Sequence, residues 1–361
     1  MSETELNDAE VLARVEGGVG RLTLNRPAAL HALTTNMCAL MTQALLAWRA
    51  DPAVKAVLID HAGERGFCAG GDIRMLADSG AGDGAAAREF FFTEYRLNHL
   101  LFVYPKPVVA IMDGVTMGGG VGLSMPARFR VATERTTFAM PETGIGLFPD
   151  VGGGWFLPRL PGRTGLWLAL TGARIKAADC LALGVATQFV EAARIADLKA
   201  AVIASPEWIA EVVARFASDR GPAPIAAQRP DIDRLFAGDS VEAIVTALTA
   251  DGGDWAAAQL KTLSAKSPQT MKVALRQLAV GGALTSFADN MAMEYRIGAR
   301  VVRRHDFLEG VRAVIVDKDN APRWNPASLE GVTEADLDAI FAPLPDDQEW
   351  TPLAQTLETA A

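Results

Sequence analysis

The feature that most restricts the fold is an apolar run that ends in glycines. Val108-Val109-Ala110-Ile111 reads as a short buried strand. The stretch Met112 to Pro126 follows, with Gly118, Gly119 and Gly120 in succession before Val121, Gly122 and Leu123. A strand that passes through glycines into an apolar helical turn leaves backbone N–H groups free at the helix start. Such groups hold an anion, or an oxygen that becomes negative during reaction. Gly119 is placed to donate in this way. The alternative is a close-packed turn with no chemistry.

Two other glycine-rich loops follow strands. Gly63 to Asp72 comes after a buried-type strand at Val54 to Ile59, and Pro141 to Gly154 comes after short strands at Phe129 to Ala132 and Thr137 to Met140. If the strands stack in register, the loops converge, and one donor from each of the first two makes an oxyanion hole. Elsewhere, Val11 to Glu16 and Val19 to Asn25 read as a hairpin across Gly17-Gly18. Thr34-Thr35 caps a helix carrying Met37, Leu40, Met41, Leu45 and Trp48, and Ala85 to Phe102 is a further helix. The segment Gly80 to Ala85 fits a dinucleotide glycine pattern, but no strand precedes it, so it is rejected. Strands and helices alternate to about Val190, which implies α/β units. Beyond that point the pattern is helical, with Gly221 to Pro230 read as a surface loop. The expected organisation is an α/β core over residues 1–200, with a helical C-terminal region over 201–361 packing on it.

Composition narrows the function classes. The 361 residues carry a net charge of −9 without a basic cluster, which disfavours nucleic acid and anionic membranes as partners. Cys38, Cys68 and Cys180 show no C-x-x-C spacing, and the four histidines show no metal-ligand spacing. No metal is expected. No apolar run is long enough to span a membrane. The N-terminus, M-S-E-T-E-L-N-D-A-E, is acidic and reads as neither a signal nor a transit peptide, so the expected location is cytoplasmic.

Several carboxylates are candidates for chemistry. Glu142 in M-P-E-T and Asp150 in F-P-D-V-G-G-G share one glycine- and proline-rich loop. One would act as base or nucleophile, the other as acid or hydrogen-bond partner. The alternatives are a solvent-facing turn for Glu142 and a helix N-cap for Asp150. Glu94 lies among Phe91, Phe92 and Tyr95, a setting that raises a carboxyl pKa; the alternative is the wet face of the helix, or pairing with Arg96 or Arg88. Asp72 and Arg74 could hold an anionic ligand at a helix start, or simply form an exposed cap. Cys68, His31 and His99 are taken as structural.

Taken together, L-N-R-P-x-A-L-x-A-L at Leu24 to Leu33, F-C-A-G-G-D-I-R at Phe67 to Arg74 and M-G-G-G-V-G-L-S at Met117 to Ser124 resemble the crotonase (enoyl-CoA hydratase/isomerase) superfamily. The segments Phe138 to Leu160, Leu170 to Asp179, Met293 to Arg296 and His305 to Asp319 are similar to its branch that hydrolyses 3-hydroxyisobutyryl-CoA. The resemblance implies a spiral of ββα turns with a helical C-terminal region, and an acyl-CoA substrate. It assigns the oxyanion hole to the N–H groups of Gly71 and Gly119. It places the coenzyme A end along Ala69, Asp72, Ile73 and Arg74. Glu142 matches a catalytic glutamate, as nucleophile or as the base that activates a water; Asp150 is expected as a catalytic residue that holds the substrate hydroxyl or helps place water, Glu94 to contact the acyl or hydroxyl group, and no separate cofactor is implied. It also admits a homo-oligomer. Hydratases of the superfamily carry another glutamate at the second residue after the triple glycine. Here that residue is Gly122. One carboxylate plus an oxyanion hole suits thioester cleavage better than water addition to a double bond. The alternatives are a hydratase or isomerase, and a non-catalytic acyl-CoA-binding or RNA-binding member.

Overall fold

A computed structural model describes residues 9–357. The acidic segment 1–8, read above as neither signal nor transit peptide, lies outside the described residues. The strands in chain order are β1 (Val11–Glu16), β2 (Val19–Leu24), β3 (Ala56–His61), β4 (Gly66–Cys68), β5 (Val108–Met112), β6 (Val115–Met117), β7 (Phe129–Ala132), β8 (Thr137–Ala139), β9 (Ile175–Lys176) and β10 (Gln188–Phe189). They form two sheets: a larger one in the order β1-β2-β3-β5-β7-β10, and a smaller one in the order β4-β6-β8-β9. The β1–β2 hairpin is antiparallel, and β2, β3, β5, β7 and β10 run parallel.

Both faces of the larger sheet are buried, which is why its central strands read as continuous apolar runs. Val57 and Ile59 of β3, with Val108 and Ala110 of β5, face the main core. Ala56, Leu58, Val109 and Ile111 face a second cluster, closed by Ile195, Leu198, Ile209 and Val213.

The helices that matter for the site are α1 (Thr35–Ala50), α2 (Ile73–Gly80), α3 (Ala85–Phe102), α4 (Gly119–Ser124) and α5 (Gly153–Phe156). From the C-terminal region come α6 (Ile225–Leu235), α7 (Pro268–Ala283), α8 (Phe287–Val301), α9 (His305–Val311) and α10 (Glu334–Phe341). Buried residues of that region, from Ile225 through Phe307 to Trp350, join the core of the α/β part. The tail returns over α3: Trp350 Nε1 donates to Phe92 O at 3.2 Å, and Arg96 Nε to Thr351 O at 2.8 Å.

Two readings need correction. The loop expected over 221–230 is helical from Ile225, with Pro230 inside α6. The missing proline N–H is offset by burial of Ile225, Ile232 and Leu235 and by an anchor at the helix start, where Ile225 N–H donates to Asp179 Oδ1 at 2.8 Å. The strand at Val108 also does not run directly into the glycines. It ends at Met112, turns at Gly114 (φ +97°), and a separate strand, β6, enters the smaller sheet.

Candidate active site

The smaller sheet brings the glycine loops together. β4 pairs in parallel with β6 through Gly66–Val115 and Cys68–Thr116, and β6 with β8 through Val115–Thr137 and Met117–Ala139. Parallel strands end on the same side, so the three following loops leave side by side. The first two touch backbone to backbone. A Cβ on Gly120 would lie 2.5 Å from Cys68 O, and one on Gly118 would lie 3.1 Å from Gly70 Cα. Gly118 itself has φ +46° and ψ −119°, a conformation open to glycine alone.

This packing leaves two amide donors beside a cavity of about 360 Å³. Leu33 N–H donates to Gly70 O at 2.8 Å, and Asp72 N–H to Leu33 O at 2.9 Å. In such a parallel bridge the N–H of Gly71 turns away from Leu33, and Gly71 lines the cavity. Gly119 is the first residue of α4, so its N–H has no acceptor within the helix. It lines the same cavity.

Glu94, Glu142 and Asp150 line the cavity too, 2%, 5% and 5% exposed. Glu142 opens a short 3-10 turn, and its buried Oε2 has no partner among the described residues. Burial, then the Asp150 charge, pushes its pKa well above the usual carboxylate range; Lys266 opposes this. Asp150 Oδ2 accepts from Tyr95 Oη at 2.9 Å. Burial raises Asp150 to about 7, against the pull of the Tyr95 hydrogen bond. Glu94 is raised by burial and by the charges of Asp150 and Glu294, and its Oε1 is unpartnered. Glu94 is therefore neither on a wet face nor paired with arginine. Arg96 stacks on Phe92 instead and reaches the C-terminal tail. Asp150 does not cap α5 with its side chain either; Gly152 is the N-cap.

The remaining candidates divide. Ala69 and Ile73 line the cavity. Asp72 caps α2 by accepting from Met75 N–H at 3.3 Å and pairs with Arg26 at 3.6 Å. Arg74 is exposed, and neither it nor Asp72 lines the cavity. Cys68 is buried, with its thiol pushed up to about 12, and so has no nucleophilic thiolate at neutral pH.

Some contributors gave no local signal. Tyr95 read as part of an apolar face. Lys266 lines the cavity from a linker more than a hundred residues downstream, its ammonium pKa lowered by burial. Val151, next to Asp150, has φ +52°, rare for a β-branched residue. Its Cβ, with Asn98 Nδ2, would lie 2.7 Å from a Cβ on Gly122. The place where a hydratase carries its other glutamate is thus filled by packing.

The sequence matches the family model for enoyl-CoA hydratase/isomerase over residues 19–341. A curated Xenopus tropicalis protein named 3-hydroxyisobutyryl-CoA hydrolase, mitochondrial, is 46% identical over 353 residues, spanning 95% of this chain and 91% of that one. The Homo sapiens protein of the same name is 45% identical over 344 residues, spanning 93% and 89%. Among solved structures, one named as a carnitinyl-CoA dehydratase from Mycobacterium thermoresistibile has a TM-score of 0.91 at 44% identity, covering 95% of this chain and 99% of that one. Another, named as an enoyl-CoA hydratase from Rhodobacter sphaeroides 2.4.1, has a TM-score of 0.88 at 41% identity, covering 95% and 100%. These names disagree on chemistry, but the family model spans most of the chain and the curated relatives are 45–46% identical over nearly all of it: the chain belongs to the crotonase (enoyl-CoA hydratase/isomerase) superfamily.

Proposed function

We propose that the protein hydrolyses 3-hydroxyisobutyryl-CoA, and the smaller 3-hydroxypropionyl-CoA, to the hydroxy acid and free coenzyme A, a step of valine degradation. One observation carries the reading: Gly71, Gly119 and the buried Glu142 line one cavity, and beside it Val151 and Asn98 fill the space a side chain at position 122 would need, where the resemblance puts the hydratases' other glutamate. The thioester oxygen would sit between the N–H groups of Gly71 and Gly119. Loss of one such donor typically costs about 2.7–4 kcal/mol of barrier. The Glu142 carboxylate attacks the carbonyl carbon, or takes a proton from a water that does. The tetrahedral intermediate collapses with departure of the coenzyme A thiolate, which takes up a proton; on the direct-attack route this leaves a mixed anhydride on Glu142, and a water then cleaves it to release the hydroxy acid and regenerate the carboxylate. Asp150, fixed by Tyr95, holds the 3-hydroxyl, and Glu94 bounds the acyl end. These steps draw only on side chains, amides and water, so the proposal includes no separate cofactor. The curated relatives' names support the substrate assignment. Those names also carry the word mitochondrial, which is said of those proteins; a cytoplasmic location for this chain is part of the proposal.

The hydratase reading draws on the names of the two solved structures and predicts hydration of crotonyl-CoA. Glu142→Gln tests the proposed role directly. The variant is expected to fold and bind coenzyme A while losing most thiol release. Near-normal turnover would remove Glu142 from the centre of the reaction.

A further inference from the structure

Glu294 is fully buried on α8, far along the chain from the catalytic loop. Its Oε2 accepts from Gly152 N–H at 2.8 Å, and its Oε1 from Gly154 N–H at 2.9 Å. Oε1 also accepts from Asn290 Nδ2 at 2.9 Å and Gln277 Nε2 at 3.1 Å. Gln277 Nε2 in turn donates to Pro149 O at 2.7 Å. Residues 149, 152 and 154 are therefore tied to α7 and α8, and the ties bracket Asp150 and Val151. Both amides turn their NH₂ groups to the carboxylate, although their own buried oxygens have no partner among the described residues.

The arrangement is more than a helix cap. Val151 holds φ +52°, a conformation that a β-branched residue keeps only when its surroundings over-determine it. Hydrogen bonds from Gly152 and Gly154 to the two oxygens of one buried side chain supply that constraint. Gly154 has to be glycine for the carboxylate to come so near, because a Cβ there would lie 3.1 Å from Glu294 Oε1 and 2.7 Å from Asn290 Oδ1. Tyr95 fixes the side chain of Asp150 from α3, and Glu294 fixes the backbone that carries it.

We infer that Glu294 is a positioning residue for thioester cleavage: its grip on Gly152 and Gly154 holds the left-handed turn at Val151 and so sets where the Asp150 carboxylate stands in the cavity. The inference rests on the proposed role of Asp150 in contacting substrate.

The test is a double-variant cycle on the full chain. Thiol release from 3-hydroxyisobutyryl-CoA is measured for Asp150→Asn, Glu294→Gln and the pair, with melting temperatures alongside. Glu294→Gln keeps shape but cannot accept from both glycines. It is expected to lower kcat roughly 10²-fold with KM nearly unchanged, the loss typical of a displacement of about 1 Å. Glu294→Asp, which keeps two acceptor oxygens, should recover part of the rate. In the Asp150→Asn background, Glu294→Gln should cost much less than it does alone. Three results overturn the inference: a lowered melting temperature with kcat unchanged, equal losses in both backgrounds, or a rise in KM alone. If Asp150→Asn itself turns over normally, the reading of Asp150 fails and the inference falls with it. A slow Asp150→Asn beside a normal Glu294→Gln overturns the inference alone. Should Glu294→Gln not fold, Asn290→Ala removes one donor and leaves the carboxylate. It should show a smaller kcat loss with the same dependence on Asp150, and an unchanged kcat would again overturn the inference.

Discussion

Replacing Gly122 by alanine should damage catalysis at a position that does not line the cavity. The added Cβ would lie 2.7 Å from Val151 Cβ and 2.7 Å from Asn98 Nδ2, about 0.7 Å inside the 3.4 Å at which ordinary contact begins. Neither neighbour yields freely. Asn98 is fully buried on α3, and Val151 sits in a left-handed turn between residues that are themselves hydrogen-bonded. Overpacking of this kind costs about 1–3 kcal/mol, and in a chain of this length it lowers the melting temperature by roughly 1–4 °C. The functional effect should be larger, because Asp150 adjoins Val151. A misplacement of about 1 Å can cost about 10²-fold in rate, so a shift of several tenths should lower kcat roughly ten-fold or more, with KM little changed. Thiol release from 3-hydroxyisobutyryl-CoA, read with a chromogenic thiol reagent beside thermal melts, measures both effects. Gly122→Glu extends the argument: with the space already filled, restoring the hydratases' carboxylate should give no crotonyl-CoA hydration. Wild-type kcat and melting temperature in Gly122→Ala, or a folded Gly122→Glu that hydrates crotonyl-CoA, would refute the packing argument.

Other consequences concern protons. Tyr95→Phe removes the hydrogen bond that holds Asp150 down, so the Asp150 pKa should rise and the acid limb of the kcat/KM profile should move to higher pH. The lost partner should also cost about 1–3 kcal/mol of stability; an unmoved acid limb would detach Asp150 from the reaction. Stability itself should fall between pH 5 and pH 8. Glu94, Glu142, Asp150 and Glu294 all have carboxyl pKa values raised by burial above their unfolded values, roughly 4, with Asp150 at about 7 and Glu294 at about 8. Their protonated forms favour the folded state, so this contribution is complete below the unfolded values and is lost as pH rises through the folded ones. Chemical denaturation across that range should show the decline, with a flatter slope in Asp150→Asn; equal slopes for the two proteins would count against the raised pKa.

What could be read from the sequence followed the strength of local signals. The hairpin, α3 and the buried parallel strands were visible because their apolar patterns are long and both faces of the larger sheet are covered. The glycine loops were visible because positive φ and close backbone approach demand glycine. Of the smaller sheet only β8 was visible, because β4 and β6 have three residues each, too few for alternation to register. Pro230 misled the reading of α6, where buried contacts override a local penalty. Helix α10 carries a sign legible in sequence, the capping box between Thr333 and Asp336. At the site, Glu142, Asp150 and Glu94 were legible as carboxylates, but their surroundings were not. Whether Glu94 faced water or aromatic rings depended on Arg96, and Arg96 is drawn away by a tail more than 250 residues distant. Lys266 and Glu294 reach the site from the C-terminal region through tertiary packing alone.

The central claim is that this cavity cleaves a thioester rather than adding water to a double bond. The most direct measurement incubates the purified chain with 3-hydroxyisobutyryl-CoA and, separately, with crotonyl-CoA. Free thiol is followed in the first and loss of the conjugated double bond in the second. The account predicts rapid, catalytic thiol release from the hydroxyacyl thioester and no appreciable hydration of the enoyl one. Hydration of crotonyl-CoA without thiol release from 3-hydroxyisobutyryl-CoA would contradict it.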